Sequence, residues 1–506
     1  MPKYLAHRGP GDQRTVASGK CTMMFSRLAI NDISDAGMQP FVRPEGILVC
    51  NGEIYNHKEF PCNNSGGSDC ECLIPLIQQY GIFETSKKIL GEFAFCFSDG
   101  TEVYASRDPF GVRPLFYTRF TDGIAFASEI KGLSVFESEI KIFPPGHVYD
   151  SITNMFTCYY PCYWDPYTIT TDTDKIKESF IKAMKIRLEN TDRPIGFLLS
   201  GGLDSSLVAA VAKSLLPKGT RLKTFSIGTE DSPDIKAANI VAKYLDTDHT
   251  VIDFDIREGL TVIPDVIRSL ESYDTTTVRA SVPMWLLCRW ISQNTECRVI
   301  ISGEGSDELF GGYLYFHYAP DVNHFSLENT RRLRLIHQFD GLRADRCIAA
   351  HGLELRVPFL DKEFVEVGMT IDQNLKVPGQ KMEKWILREA FEGYLPHEIL
   401  WRQKNGMSDA VGYSWVENAK KMANEVVSDE QFDYIQELTM YHNIVLTKEE
   451  AMYRAQFWKH FGHANDHLIS EIWRPKWTTE TDPSAAKLSI HQDNSKVCTL
   501  DQTTHT

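Results

Sequence analysis

Ser200-Gly201-Gly202-Leu203-Asp204-Ser205-Ser206 is the stretch that decides how this chain folds. It follows a short apolar run, Ile195-Gly196-Phe197-Leu198-Leu199, bounded by Pro194. It precedes Leu207 to Leu216, where apolar residues recur at helical spacing. The order is strand, glycine turn, helix. Two glycines let the backbone turn tightly and approach a ligand, so several N–H groups and a helix N-terminus converge on one anion. Ser200, Ser205 and Ser206 add hydroxyl donors around the same point. Asp204 would repel a bare phosphate, so a divalent ion, Mg²⁺, is expected between its carboxylate and the phosphate oxygens. A serine- and glycine-rich turn capping an ordinary helix is the plainer alternative. The lysine of a Walker A loop is absent, which excludes that phosphate loop.

The string resembles the pyrophosphate loop of the ATP pyrophosphatase group, enzymes that release pyrophosphate while transferring AMP to a carboxylate or carbonyl oxygen. The rest of the composition is compatible with such chemistry. A chain of 506 residues, 42% of them apolar, is expected to form more than one domain. A formal charge of −15 and the lack of a long basic run argue against a nucleic-acid or anionic-membrane surface, leaving small charged molecules as the expected partners. The twelve cysteines are scattered, and the nearest pair, Cys70 and Cys72, has poor metal-ligand spacing. Reduced thiols in a soluble, cytoplasmic protein are the simplest account, since no apolar run reaches the ~18 residues of a membrane span.

Along residues 1–160, short apolar runs alternate with turn signals: Ile47 to Cys50, Glu92 to Phe97, Val103 to Ser106, Pro114 to Tyr117 and Ile124 to Ser128. Two stretches of helical periodicity, Cys72 to Tyr80 and Phe83 to Leu90, lie among them, so a layered α+β unit is expected. Asn51-Gly52 after a strand reads as a tight turn. A proline- and aromatic-rich linker is expected over 161–174. Over 175–475, helices alternate with β-branched runs such as Lys223 to Ile227 and Arg298 to Ser302, which implies a parallel, helix-covered sheet with ligands at its carboxyl edge. Residues beyond about Ile336 read as largely helical, ending in Lys448 to Phe461. The polar stretch 476–506 has no apolar face and reads as a disordered tail.

Ser302-Gly303-Glu304-Gly305-Ser306-Asp307-Glu308 is a second glycine-broken loop after a strand. Clustered acids are often only solvated charge. Beside the first loop at adjacent strand ends, however, Asp204 and Asp307 could share Mg²⁺ while Glu304 orients or deprotonates a nucleophile.

With these loops stand His7-Arg8-Gly9-Pro10, Asn51 to Asn56, Gly67-Ser68-Asp69, Arg356-Val357-Pro358-Phe359-Leu360-Asp361 and Arg402-Gln403-Lys404. In this collinear order the chain resembles the glutamine-dependent asparagine synthetases of the bacterial and plant type. The resemblance implies an N-terminal-nucleophile hydrolase fold that frees ammonia from L-glutamine and passes it through an internal tunnel. It also implies an ATP pyrophosphatase-type α/β domain that adenylates L-aspartate with Mg-ATP, and a homodimer as the expected assembly.

Site residues carry over by position. Leu199, Ile227, Ser302 and Gly303 match the lining of the ATP site, together with the loop Ser200, Gly201, Gly202, Asp204, Ser205 and Ser206. Glu304 matches a glutamate needed for the β-aspartyl-AMP step and Lys404 a lysine beside the reacting phosphate. Thr276, Thr277 and Arg279 match a segment beside the acyl-adenylate; Arg279 could equally be a helix-surface residue. Arg27, Leu28, Ala29, Ile30 and Asn31, with Asn51, Gly52, Glu53 and Asp69, match the glutamine pocket. There Arg27 would clamp the α-carboxylate, Glu53 and Asp69 the α-ammonium, and Asn51 and Gly52 the oxyanion. Without the family, Arg27 to Ile30 is only a strand with a charged end.

One feature departs from the pattern. The family's nucleophile is a cysteine directly after the initiator methionine, whereas Pro2 stands here and Cys21 is the first cysteine. An inner strand and most of a helix of the N-terminal domain are therefore expected to precede His7. A start downstream of the true one explains this better than loss of glutaminase, because the pocket residues are all retained and a missing strand would leave unpaired backbone. As written, the chain is expected to use ammonia directly. A related amide- or lactam-forming adenylating enzyme and a non-catalytic nucleotide- or amino-acid-binding relative remain as alternatives.

Overall fold

The computed structural model describes residues 2–60, 67–162, 164, 170–230, 232–379, 381–404, 414–479 and 482. The N-terminal region contains β1 (Gln13–Ser18), β2 (Cys21–Ser26), β3 (Phe41–Arg43), β4 (Gly46–Ile54), β5 (Gly91–Ser98), β6 (Val103–Arg107), β7 (Phe116–Phe120), β8 (Gly123–Ala127), β9 (Ile140–Ile142), β10 (His147–Asp150) and β11 (Met155–Cys158). They form an antiparallel six-stranded sheet in the order β11-β10-β6-β5-β4-β3, a three-stranded sheet β8-β7-β9 and the hairpin β1-β2. A helix over Leu73–Lys88, broken at Gly81, covers the large sheet and accounts for both helical runs read from the sequence.

The later region is built on β12 (Ile195–Leu198), β13 (Lys223–Gly228), β14 (Asp248–Asp253), β15 (Val299–Ile301) and β16 (Glu354–Arg356). All pair in parallel in the order β14-β13-β12-β15-β16. Helices on both faces make the inner strands β12 and β15 almost wholly apolar: Phe197, Val299, Ile300 and Ile301 are buried. Each such side chain contributes roughly 1.5–3 kcal/mol through burial. The antiparallel layers followed by a parallel sheet agree with the two-part α/β architecture read from the sequence.

Four local readings change. Asn51-Gly52 is not a turn: β4 runs on to Ile54, pairing Asn51 with Ala94 and Gly52 with Phe93. Gly52 sits at φ 138°, and a Cβ there would fall 1.9 Å from the Glu92 carbonyl oxygen, so the glycine serves a close strand approach. Arg27 to Ile30 is irregular chain beyond the end of β2, not a strand. The short strand β16 escapes the sequence because Glu354 and Arg356 flank its single aliphatic residue. Lys476 and Trp477, assigned by composition to the tail, are packed: Lys476 Nζ pairs with Glu328 at 2.5 Å and the Trp477 ring lies 6.0 Å from Tyr315.

Between the small sheets of the N-terminal region lies a cavity of about 920 Å³. All residues of β2 and of β8 line it. Successive residues of a strand face opposite sides, so a cavity touched by all of them runs along strand edges. Among the described residues β2 pairs with β1 and β8 with β7, so their open edges bound this slot.

Candidate active site

Both glycine-broken loops leave the carboxyl ends of adjacent parallel strands, β12 and β15, which pair Phe197 with Ile301. Gly303 brings the loops into contact: a Cβ on it would lie 3.0 Å from the backbone of Asp204 and Ser205. A cavity of about 240 Å³ opens there. Leu199, Ser200, Gly202, Asp204, Ser205, Ile227, Ser302 and Gly303 line it, as do Glu304, Asp307 and Lys404. The helix Leu203–Leu215 starts at Gly202 with no side-chain cap, leaving its first N–H groups for an anion. Ser205 Oγ accepts from the Ser200 N–H at 3.1 Å and pairs with Ser200 Oγ at 3.0 Å, which fixes the loop.

Two expected ATP-site residues lie behind this wall. Gly201 does not line the cavity; its carbonyl accepts from Arg402 at 3.1 Å. Ser206 is fully buried on the inner face of the helix, one residue past the last hydroxyl that reaches the cavity. Arg279 is also absent from the lining. Its guanidinium binds Glu449 through Nε at 2.8 Å and NH2 at 2.6 Å, and Asp482 through NH1 at 2.9 Å. These bonds engage a buried arginine and tie its helix, Thr275–Asn294, to the helix Lys448–Phe461, so Arg279 is neither on the cavity wall nor the helix-surface residue of the plainer reading. Thr276 from the same helix does line the cavity, whereas Thr277 turns inward to Asp274 at 2.7 Å.

The charges are arranged in two groups. In the first, Asp204 and Asp307 converge on Lys384, whose Nζ lies 2.8 and 2.7 Å from the two Asp204 oxygens and also pairs with Asp307. Lys404 pairs with the other Asp307 oxygen. Burial pushes the Lys404 ammonium down to about 8, against the pull of Asp204 and Glu304. Two carboxylates already gathered around one cation are a fitting pair for Mg²⁺, which is commonly held by one or two carboxylates plus phosphate oxygens.

In the second group, Glu304 is raised by burial, with Arg343 opposing from 3.1 Å. Arg343 also meets Asp340 at 3.0 Å, and Tyr313 donates to Asp340 at 2.9 Å and to Glu308 at 2.7 Å. Burial and Asp340 push Glu308 up to about 8. Lys384, Arg343, Asp340 and Tyr313 were not singled out in the sequence. Asp340 and Arg343 share the helix Asp340–Ala349, while Lys384 and Tyr313 stand just before Trp385–Ala390 and Leu314–Tyr318, and nothing in their local pattern signals a shared cavity.

The N-terminal cavity gathers Arg27, Leu28, Ile30, Asn31, Asn51, Gly52, Glu53 and Asp69. Ala29 is not on its wall; its carbonyl accepts from Arg193 at 2.8 Å. Asn51 Nδ2 donates to Ser128 at 3.3 Å and the Arg27 guanidinium to the Asp32 carbonyl at 2.5 Å. Asp69 Oδ2 accepts from the Ile54 N–H at 2.6 Å, and Asn31 donates to Glu53. Burial raises both carboxyls, Asp69 adding to the effect on Glu53. Ala349, Leu353 and Glu354 also line this cavity.

A family model for asparagine synthase matches residues 175–334 and 323–489, and one for a glutamine amidotransferase domain matches residues 1–181. A probable glutamine-hydrolysing asparagine synthetase of Dictyostelium discoideum is 39% identical over 534 aligned positions, covering 97% of this chain and 95% of the relative. The glutamine-hydrolysing asparagine synthetase of Asparagus officinalis is 40% identical, covering 97% and 89%. Asparagine synthetase 3 of Arabidopsis thaliana is also 40% identical, covering 97% and 91%.

Proposed function

The chain belongs to the glutamine-hydrolysing asparagine synthetase family, and from that premise we propose that its residues divide the reaction between the two cavities. It amidates L-aspartate to L-asparagine at the expense of ATP, with nitrogen from L-glutamine or ammonia. The observation that carries the assignment is the convergence of Asp204, Asp307, Glu304 and Lys404 on one cavity at the ends of β12 and β15. A carboxylate is a poor electrophile, and transfer of AMP to it creates a good leaving group. The uncapped N-terminus of the helix Leu203–Leu215 and the Ser200 and Ser205 hydroxyls hold the phosphate chain. Asp204 and Asp307 would hold Mg²⁺, which when bound neutralises charge on the departing pyrophosphate. Lys404 offsets charge developing at the α-phosphorus. Glu304, oriented by Arg343, accepts a proton from ammonia as nitrogen attacks β-aspartyl-AMP.

In the N-terminal cavity, Arg27 receives the glutamine α-carboxylate, Glu53 and Asp69 its ammonium, and Asn51 with Gly52 the oxyanion. Three thiols on the wall are poor nucleophiles: hydrogen bonding to Cys50 and burial raise Cys70, and burial raises Cys21 and Cys96. An extended segment with a terminal cysteine, lying along the open edges of β2 and β8, would bring a thiolate to Asn51 and Gly52 and complete the small sheets. Ammonia freed there faces Ala349, Leu353 and Glu354 on the side of the parallel sheet.

Aspartate-dependent exchange of pyrophosphate into ATP, followed by asparagine formation with ammonium, tests the assignment. Competition among carboxylates separates it from a related amide- or lactam-forming enzyme; exchange driven better by another amino acid would overturn it. Addition of an N-terminal segment beginning Met-Cys is expected to confer glutamine-dependent synthesis, and no gain would reject the slot as the seat of the nucleophile.

A further inference from the structure

Lys384 stands where the metal of the proposed reaction would stand. Its side chain is buried, and its ammonium is enclosed by both Asp204 oxygens and by Asp307. The position is built rather than incidental. Gly312 lacks a side chain at the one place where a Cβ would lie 2.0 Å from both Lys384 Cε and Asp307 Oδ1. Glu383, fully buried beside it, accepts from Arg388 NH2 at 2.9 Å and from the Lys404 N–H at 3.2 Å, so one carboxylate fixes the backbone of both lysines. Lys384 itself starts the helix Trp385–Ala390 from a left-handed conformation, φ 58°.

We infer that Lys384 is a placeholder cation: it holds Asp204 and Asp307 together in the nucleotide-free enzyme, yields their oxygens to the divalent ion, and moves to the phosphate chain. The inference rests on Asp204 and Asp307 being the metal carboxylates of the proposed function. Charge counting supports it. Two aspartates balance Lys384 and Lys404 before loading. A divalent ion with a triphosphate adds about two negative charges, so both ammonium groups are still needed but must face phosphate rather than carboxylate. Two aspartates left unpaired so close together would repel one another, and a tethered ammonium suppresses that repulsion without binding free metal. The metal then enters together with ATP and not before it.

The test is Mn²⁺ binding to the whole chain, measured by the loss of its free paramagnetic signal, with and without a non-hydrolysable ATP analogue. Wild type is expected to bind Mn²⁺ weakly without the analogue and at least 10-fold more tightly with it. Lys384→Met, which keeps the stem and removes the charge, is expected to bind Mn²⁺ without nucleotide at least 10-fold more tightly than wild type while losing aspartate-dependent pyrophosphate exchange by about 100-fold. Lys384→Gln, which still donates a hydrogen bond to the carboxylates, is measured alongside, so that a folding defect in one variant does not decide the result. Lys384→Arg keeps the charge and is expected to show no gain in nucleotide-free Mn²⁺ affinity. Unchanged nucleotide-free affinity in both neutral variants would overturn the placeholder role while leaving the metal assignment intact. Absence of Mn²⁺ binding by wild type even with the analogue would overturn the metal assignment and the inference together.

Discussion

Arg356 joins the two cavities: its guanidinium lies 3.5 Å from Glu53 in the N-terminal cavity, while its carbonyl accepts from the N–H of Ser302 at 3.1 Å, at the start of the acidic loop. The side chain is fully buried, with Nε on Glu354 at 2.9 Å and NH1 on the Arg187 carbonyl at 2.7 Å. Arg187 continues the chain of charges to Glu92 and Asp361. Replacing Arg356 by Met strands Glu53 and leaves Glu354 only the longer pair with Arg113 at 3.8 Å, at a cost of about 3–5 kcal/mol. Thermal melting should show that loss, and, with the N-terminal cysteine segment in place, the ratio of glutamine- to ammonia-dependent synthesis in any folded fraction should fall. A variant with wild-type melting and an unchanged ratio would remove Arg356 from the link.

Asp204→Asn and Asp307→Asn should abolish synthesis from either nitrogen source, since each removes charge stabilisation of several kcal/mol at the pyrophosphate. Glu304→Gln keeps the shape and should bind ATP normally, while asparagine formation falls by roughly 10²–10⁴. Equilibrium binding of a fluorescent ATP analogue, measured beside the rate, separates the cases. Loss of nucleotide binding in Glu304→Gln would reassign the residue to loop structure.

The sequence made the strand ends legible because their loops break apolar runs with glycine. Ser200 to Ser205 and Ser302 to Asp307 accordingly meet where the spacing places them. The second half of the site was illegible for a physical reason. Arg343 reaches the cavity from an ordinary helix, Lys384 and Tyr313 from irregular residues just ahead of Trp385–Ala390 and Leu314–Tyr318, and only tertiary packing brings them together. The same limit explains the errors. Helical phase separates Ser205, on the cavity, from Ser206, in the core, and Gly52 is required by the neighbouring strand rather than by a turn.

Arg279 is expected to act on stability and not on chemistry. Arg279→Met leaves Glu449 buried without its partner and should cost about 3–5 kcal/mol, whereas Asp482→Asn, which weakens the less buried pairs with Arg279 and Lys420, should cost less. At a temperature where both variants are folded, the KM for aspartate should match wild type. A KM raised tenfold or more in folded Arg279→Met would return the residue to the substrate.

Lys376 should make stability depend on pH. It is buried, its nearest partner is the Met369 sulfur at 3.9 Å, and burial pulls its ammonium down to about 7. The folded pKa lies below the unfolded value near 10.4, so the unfolded chain binds the extra proton between these limits. Stability therefore rises with pH across that window, by up to about 1.4 kcal/mol per unit from this group. Lys376→Met should melt higher than wild type near pH 7, with the difference shrinking toward pH 10. A constant difference would show that Lys376 keeps its charge in the fold.

The two nitrogen sources should respond separately to the N-terminal cavity. Asp69→Asn removes a buried negative charge where the glutamine ammonium is to sit, while keeping the size of a side chain that accepts from the Ile54 N–H. Asn51→Ala removes an oxyanion donor, a change that in acyl transfer costs roughly 10²–10³ in rate. Neither residue lines the ATP cavity, and among the described residues the two cavities share no wall. Ammonium enters from solvent and needs none of this machinery. With the N-terminal cysteine segment in place, Asp69→Asn should therefore raise the KM for glutamine, and Asn51→Ala should lower the rate of glutamine cleavage. Ammonium-dependent asparagine synthesis should stay within about twofold of wild type, because adenylation still rests on Asp204, Asp307, Glu304 and Lys404. Equal losses with both sources would mean that the N-terminal cavity shapes the adenylation site itself, with the Arg356 connection from Glu53 to Ser302 as the route to test next.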